Sequence, residues 1–128
     1  MIEVSIFKEE KYPLNSKKIE STVRNTLSKN GVSENAFVEV AIVGEKKMDE
    51  LNEKYYKDKV YMHPIFTFPA TLESKFSFPP DGKKHLGQIV ISYKMAMETA
   101  NEKKISIDDV IESLVEHGCL HLIGKHHK

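Results

Sequence analysis

Arginine and cysteine each occur once in these 128 residues, as Arg24 and Cys119. A lone cysteine excludes an intramolecular disulfide and fits a reducing compartment. The scarcity of arginine removes the forked, permanent cation best suited to phosphate. An excess of charge of either sign is also missing, because 19 basic residues balance 19 acidic ones. No overall basic field gathers nucleic acid, so any such contact must come from local clusters. Lys46, Lys47, Lys54, Lys57 and Lys59 form one candidate patch near a cleft and Lys83 with Lys84 another, although each reads equally well as a solvated face. No apolar run approaches the roughly 20 residues of a membrane span, and the opening residues lack the basic and apolar pattern of an export signal. A cytoplasmic protein without membrane association is expected.

What remains is the composition of an ordinary globular protein, 40% hydrophobic and 30% charged, long enough to bury a core without disulfides. No repeat, low-complexity tract or linker divides it, so residues 1–128 read as a single domain. Ile2, Val4, Ile6 and Phe7 predict a strand ended by Pro13 and Asn15. Ile19, Val23 and Leu27 recur every four residues from about Ser16 and stop at Gly31, the pattern of an amphipathic helix. A second strand follows over Phe37 to Val43, then a helix with Met48, Leu51 and Tyr55 inward. Residues 57–85 hold four of the five prolines. The stretch from Leu72 to Lys84 reads as a mobile loop, and Ile65 to Phe68 as a short strand that Pro69 places at a sheet edge. Leu86 to Ile91 is the clearest strand. Tyr93, Ala96, Met97 and Ala100 mark the buried face of a third helix, with Met95 and Met97 read as packing residues. Ser106 to Asp109 resembles a capping box opening the last helix, whose buried stripe is Ile111, Leu114, Val115, Gly118 and Leu122. Gly118 in that stripe allows close approach to the sheet or a neighbouring helix.

Chemistry concentrates at the end of that helix. His117 and His121, four residues apart, lie on one helical face and can aim imidazole nitrogens at a common point. Gly124 has the permissive backbone that ends a helix and reverses the chain, so that His127 can return as a third ligand. Three protein ligands leave a fourth position open to water, the arrangement of catalytic rather than structural zinc. Cys119 sits between the two helical histidines but is rotated from them by roughly 100° or more, and reads as a small buried residue. His63 and His85 read as polar loop residues, with His63 a candidate to face the cleft.

The spacing resembles the metzincin peptidase motif His-Glu-x-x-His-x-x-Gly-x-x-His. The glutamate that serves those enzymes as general base is here Gly118, so a metallopeptidase would need a base from elsewhere. His117, Gly118, Leu120, His121, Leu122, Gly124 and His127 all match His-Gly-x-Leu-His-Leu-x-Gly-Tyr-Asp-His, the hallmark of the YbeY family of metal-dependent endoribonucleases, which the chain resembles. Leu51-Asn52 with Tyr55, Ile65 to Pro69, and Leu86 to Ser92 are similar to that family's Leu-Asn-x-x-Tyr-Arg, Val-Leu-Ser-Phe-Pro and Leu-Gly-Asp-Ile-x-Ile-Ser segments, in the same order. The resemblance implies an α/β fold with a mixed four-stranded sheet, one antiparallel edge strand lying beside a metal cleft. It implies a metal held by His117, His121 and His127, zinc first and nickel or another first-row ion next. By its place in the motif His127 is the ligand, whereas its competitor His126 falls on the family's aspartate.

The departures fall around the ligands. The family arginine is Tyr56, the Leu-Gly-Asp aspartate is Gln88, Thr-Asp or Thr-Asn before the edge strand is His63-Pro64, and Tyr-Asp before the last histidine is Lys125-His126. Tyr56 can stack on a base or hydrogen-bond phosphate, or simply pack. Gln88 can orient a ligand imidazole through its amide oxygen but cannot act as a base. The expected function is hydrolysis of single-stranded RNA in rRNA maturation and ribosome quality control, with the ribosome or a ribosomal protein as partner. The alternative is a catalytically impaired, metal-stabilised homologue that binds RNA or ribosomes without cutting. Oligomeric state stays open.

Overall fold

The computed structural model describes residues 2–32, 35–55, 64–69 and 84–124. In chain order these form β1 (Glu3–Lys8), α1 (Ser16–Lys29), β2 (Ala36–Val43), α2 (Glu45–Tyr55), β3 (Ile65–Pro69), β4 (Lys84–Ser92), α3 (Tyr93–Lys103) and α4 (Ile107–Leu122). The strands lie in the order β1-β2-β4-β3, with β1, β2 and β4 parallel and β3 antiparallel on the edge. This is the expected α/β architecture with a mixed sheet. Pro69, at the end of β3, sits where a missing N–H costs the ladder least. The expected loop from Leu72 lies outside the described residues up to Lys84, where β4 begins.

Local signals place the helix ends. The Asn15 side chain caps α1 by accepting from the Lys18 N–H at 3.1 Å. At the other end Gly31 takes φ +84°, and the Val32 N–H returns to the Leu27 carbonyl at 2.9 Å, a Schellman-type stop. Ser106 caps α4, its Oγ accepting from the Asp109 N–H at 3.0 Å. The starts of α1 and α4 are also tied together, because Asp108 Oδ1 accepts from the Asn15 N–H and Asp109 Oδ1 from Lys18 Nζ, both at 2.9 Å.

The sheet is covered unequally. Val38, Val40, Ile42, Ile89 and Ile91 form one core with Ile19, Val23 and Leu27 of α1, Ala96 and Ala100 of α3, and Ile111 and Val115 of α4. On the opposite face Ala41, Val43, Phe66 and Val90 meet Met48 and Leu51 of α2. The Tyr55 side chain lies outside the description. In α3 the buried side is narrower than expected. Ala96 and Ala100 are covered, Tyr93 stacks on Tyr12 with ring centroids 4.1 Å apart, and Met97 is 36% exposed rather than packed. One helical step of roughly 100° carries Met97 off the line defined by the two alanines.

A bulge in β4 changes what each of its residues faces. The β2–β4 register passes from Phe37 opposite His85 to Val38 opposite Gly87, so Leu86 is the extra residue, and Gly87 adopts φ +140°, a region that favours glycine. Leu86 and Ile89, an odd number of positions apart, therefore both reach the same core. Beyond the bulge Ile89 and Ile91 point towards α1, α3 and α4, and Gln88 and Val90 towards α2.

Candidate metal centre

The final turns of α4 bring His117 and His121 together. Their Nε2 atoms stand 2.8 Å apart and their ring centroids 4.3 Å apart, with the rings inclined by 58°. Both side chains are half-buried. At that separation one imidazole N–H can donate to the other ring's nitrogen, and both nitrogens converge on one point in front of the helix. Two imidazole nitrogens sharing a tetrahedral zinc at about 2.0–2.1 Å lie roughly 3.3–3.4 Å apart. A rotamer adjustment of well under an ångström would meet that spacing, so this donor pair fits a transition metal.

The chain turns immediately afterwards. The Ile123 N–H donates to the Cys119 carbonyl at 3.2 Å, and the Gly124 N–H to the His121 carbonyl at 3.1 Å with Gly124 at φ +79°. The stop expected of Gly124 is thus formed one turn after His121. His127 and its competitor His126 lie outside the described residues, as do Tyr56, His63, Lys57, Lys59 and Lys83. Among the described residues no third histidine, cysteine or carboxylate joins the pair.

Packing fixes which flank of α4 carries the histidines. Gly118 rests on the sheet, where a Cβ would come within 2.9 Å of Ile89 Cγ2. Glu112 lies on the flank beside α1, its carboxylate 3.4 Å from the Thr22 hydroxyl. Glu116 and Leu120 line a groove with Asn25, Thr26, Lys29 and Asn30 on that same side. Stepping about 100° per residue around the helix places His117 and His121 on the other flank, towards edge strand β3, with which α4 is in contact. Glu116, although next to His117 in sequence, faces away from the histidine pair, into the groove beside α1.

Cys119 is fully buried in the main core. Burial, reinforced by the charge of Glu116, pushes its thiol up to about 12, so the sulfur stays protonated at neutral pH. A protonated thiol is a poor metal ligand. The reading of Cys119 as a packing residue holds.

Two other expectations are corrected by the alternation of the strands. Gln88 lines a cavity of about 330 Å³ with Phe7, Ala41, Val43, Lys47 and Leu51 on the α2 side of the sheet, so it cannot orient His117 or His121 across β4. Lys46 and Lys47 ride on α2, also on the far side from the histidines. The cause is that Gln88 alternates with Ile89 and Ile91, which face the core containing α4, while α2 packs on the opposite side of the sheet.

Thr67 is the neighbour that the histidine motif leaves out. Phe66 and Phe68 share the α2 face, their rings parallel within 5°, and Ile65 packs on the core that contains α4. Thr67 therefore points to the α4 side, directly opposite Ile89 in the β3–β4 ladder. The signal was present as a polar residue at an inward strand position, but β3 is too short for its alternation to reveal which face is inward.

Comparison with known proteins identifies the family and the fold. Residues 5–128 match the family model described as endoribonuclease YbeY. A Thermodesulfovibrio yellowstonii protein of that name is 36% identical over 104 residues, covering 80% of this chain and 62% of the relative, so the chain spans less than two thirds of that protein's length. One from Caldicellulosiruptor saccharolyticus is 38% identical over 117 residues, covering 88% of this chain and 73% of the relative. A solution structure of a Thermotoga maritima protein shares the fold, with a TM-score of 0.58 at 23% identity, over 98% of this chain and 75% of that one. Among the described residues no helix is long and apolar enough to cross a membrane.

Proposed function

The chain belongs to the YbeY endoribonuclease family, and from that premise we propose that it is a cytoplasmic, metal-dependent endoribonuclease acting on single-stranded RNA in rRNA maturation and ribosome quality control. Its metal ligands would be His117, His121 and His127, and zinc is the first choice of ion, with nickel or another first-row metal next. The observation that carries the reading is the convergence of the His117 and His121 nitrogens on one point beside an edge strand. Held by His117, His121 and His127, a divalent ion would supply Lewis acidity towards a phosphodiester oxygen and would lower the pKa of water to ~7.

The chain's own residues have separable tasks. His117 and His121 act as neutral imidazole donors whose spacing is set by one turn of α4. Gly118 between them brings the helix against Ile89 and so fixes how close the pair sits to the sheet. It supplies no carboxylate. Glu116 faces the α1 groove and cannot stand in as base, which speaks against a peptidase mechanism of the glutamate-dependent kind.

The test is elemental analysis and RNA cleavage on the full chain beside a His117→Ala, His121→Ala double variant. About one metal equivalent and cleavage of single-stranded RNA are expected in the parent, both lost in the variant. Retained metal and ribosome co-sedimentation without turnover would replace this reading with that of a non-cutting RNA-binding homologue. A parent that takes up neither zinc nor nickel would refute the metal site itself.

A further inference from the structure

The flank of α4 that carries the histidine pair turns towards the edge strand β3, which α4 contacts, and the metal ligands account only for the α4 side. We propose that Thr67 forms the binding group on the β3 side, its hydroxyl hydrogen-bonding a phosphodiester oxygen of the RNA strand laid across His117 and His121. This rests on the reading of the chain as an RNA-cleaving metalloprotein and adds a substrate-holding residue to it.

Three independent observations place the side chain. The parallel rings of Phe66 and Phe68 assign even-numbered β3 residues to the α2 face, leaving Ile65 and Thr67 on the α4 face. The β3–β4 ladder sets Thr67 opposite Ile89, and Ile89 is the residue on which Gly118 rests. Gly118 lies between His117 and His121, whose flank of α4 turns towards β3 because Glu112, Glu116 and Leu120 occupy the flank against α1. Thr67 is thus level with the histidine pair along the helix and on the same side of the sheet.

Its chemistry is unlike its surroundings. Ile65, Ile89 and Ile91 make this face apolar, and valine would fill the volume of threonine there. The hydroxyl adds one donor and two acceptor lone pairs to a half-buried position on the α4 side of β3. Strand β3 is also the sheet edge, so an extended substrate can lie along it. A phosphate oxygen is an apt partner, because hydrogen bonds to charged groups are the stronger kind. The charge-neutral hydroxyl also suits a chain whose only arginine, Arg24, is occupied by the Ile2 carbonyl at 3.0 Å.

The experiment compares Thr67→Val and Thr67→Ser with the parent in steady-state cleavage of a single-stranded RNA oligonucleotide, with metal content and RNA affinity measured by elemental analysis and fluorescence anisotropy. Expected for Thr67→Val is a KM raised about tenfold or more with kcat little changed, the pattern of a lost binding contact, at unaltered metal content. Thr67→Ser should restore KM to near the parent value. A Thr67→Val protein with the parent's KM and RNA affinity would overturn the proposal, as would equal damage in both variants or loss of metal from either, since those mark a packing role. Should the parent itself fail to cleave RNA, the nuclease reading falls. RNA affinity then decides this inference: about tenfold weaker binding in Thr67→Val alone sustains it, and equal binding overturns it.

Discussion

Ile89 of β4 fills the space directly beneath Gly118 of α4, so closely that a Cβ on the glycine would meet Cγ2 at 2.9 Å, Cδ1 at 3.0 Å and Cγ1 at 3.1 Å. The helix carrying the histidine pair is seated at a depth that only a residue without a side chain permits. Gly118 thus has a packing reason where the peptidase motif has its glutamate.

Gly118→Ala should therefore destabilise the protein despite alanine's better helix propensity. Overpacking of this kind costs about 1–3 kcal/mol, against roughly 1 kcal/mol gained from propensity. Urea unfolding should show a lower midpoint, and metal affinity should fall because His117 and His121 move outward with the helix. Combining it with Ile89→Ala should be clearly less damaging than the sum of the two single changes, since each relieves the other. Strict additivity would deny the contact.

Gln88→Ala should leave metal affinity within about twofold, because Gln88 faces α2 and not the histidines. A residue orienting a ligand imidazole costs about 10–100-fold in affinity when removed. Competition titration with a chelator distinguishes the two.

Cys119 should resist alkylation at pH 8 in the native protein and react only on unfolding. Its pKa is raised from 9.0 to about 12, first by burial and then by the charge of Glu116. A raised folded-state value means that the unfolded chain releases the thiol proton first as pH rises. The stability contributed by the neutral buried thiol is then complete below pH ~9 and is lost progressively from there towards pH ~12. Comparing Cys119→Ala with the parent, the alkaline decline in urea midpoint should be shallower in the variant. Parallel declines would remove the thiol from the account.

Ser106→Ala should lower stability by about 1 kcal/mol, the usual effect of losing an N-cap side chain. The Ser106 hydroxyl accepts from the Asp109 N–H at 3.0 Å, and the adjacent Asp108 holds the Asn15 N–H. The urea midpoint should drop with an unchanged slope. Ser106→Asn should recover most of it. No loss in the alanine variant would mean that the capping bond contributes nothing net.

How far the sequence could be read depended on the range of the interaction involved. The Ser106 cap, the Gly31 stop, the pairing of His117 with His121 and the turn at Gly124 were legible, because helix geometry is set within about one turn and side chains four apart must share a face. The burial of Cys119 and the close seat of Gly118 followed from the same periodicity. The mixed sheet and its antiparallel edge strand came instead from resemblance to a known family, as local patterns do not state strand order. What the sequence could not determine rested on contacts between distant segments. The family motif allows Gln88 to orient a ligand imidazole, but which face of the sheet carries α4 and which carries α2 is set by tertiary packing, and Gln88 lies on the α2 face. The periodicity places Met97 inward, whereas the packing of Ala96 and Ala100 narrows the buried side of α3 and leaves Met97 exposed. The placement of Thr67 opposite Ile89, level with the histidine pair, required the β3–β4 register, and a one-residue change in that register would reverse which side chains face α4. The histidine pair is thus a property of the local chain, whereas the sheet edge it faces exists only once strand pairing has brought β3 and β4 together.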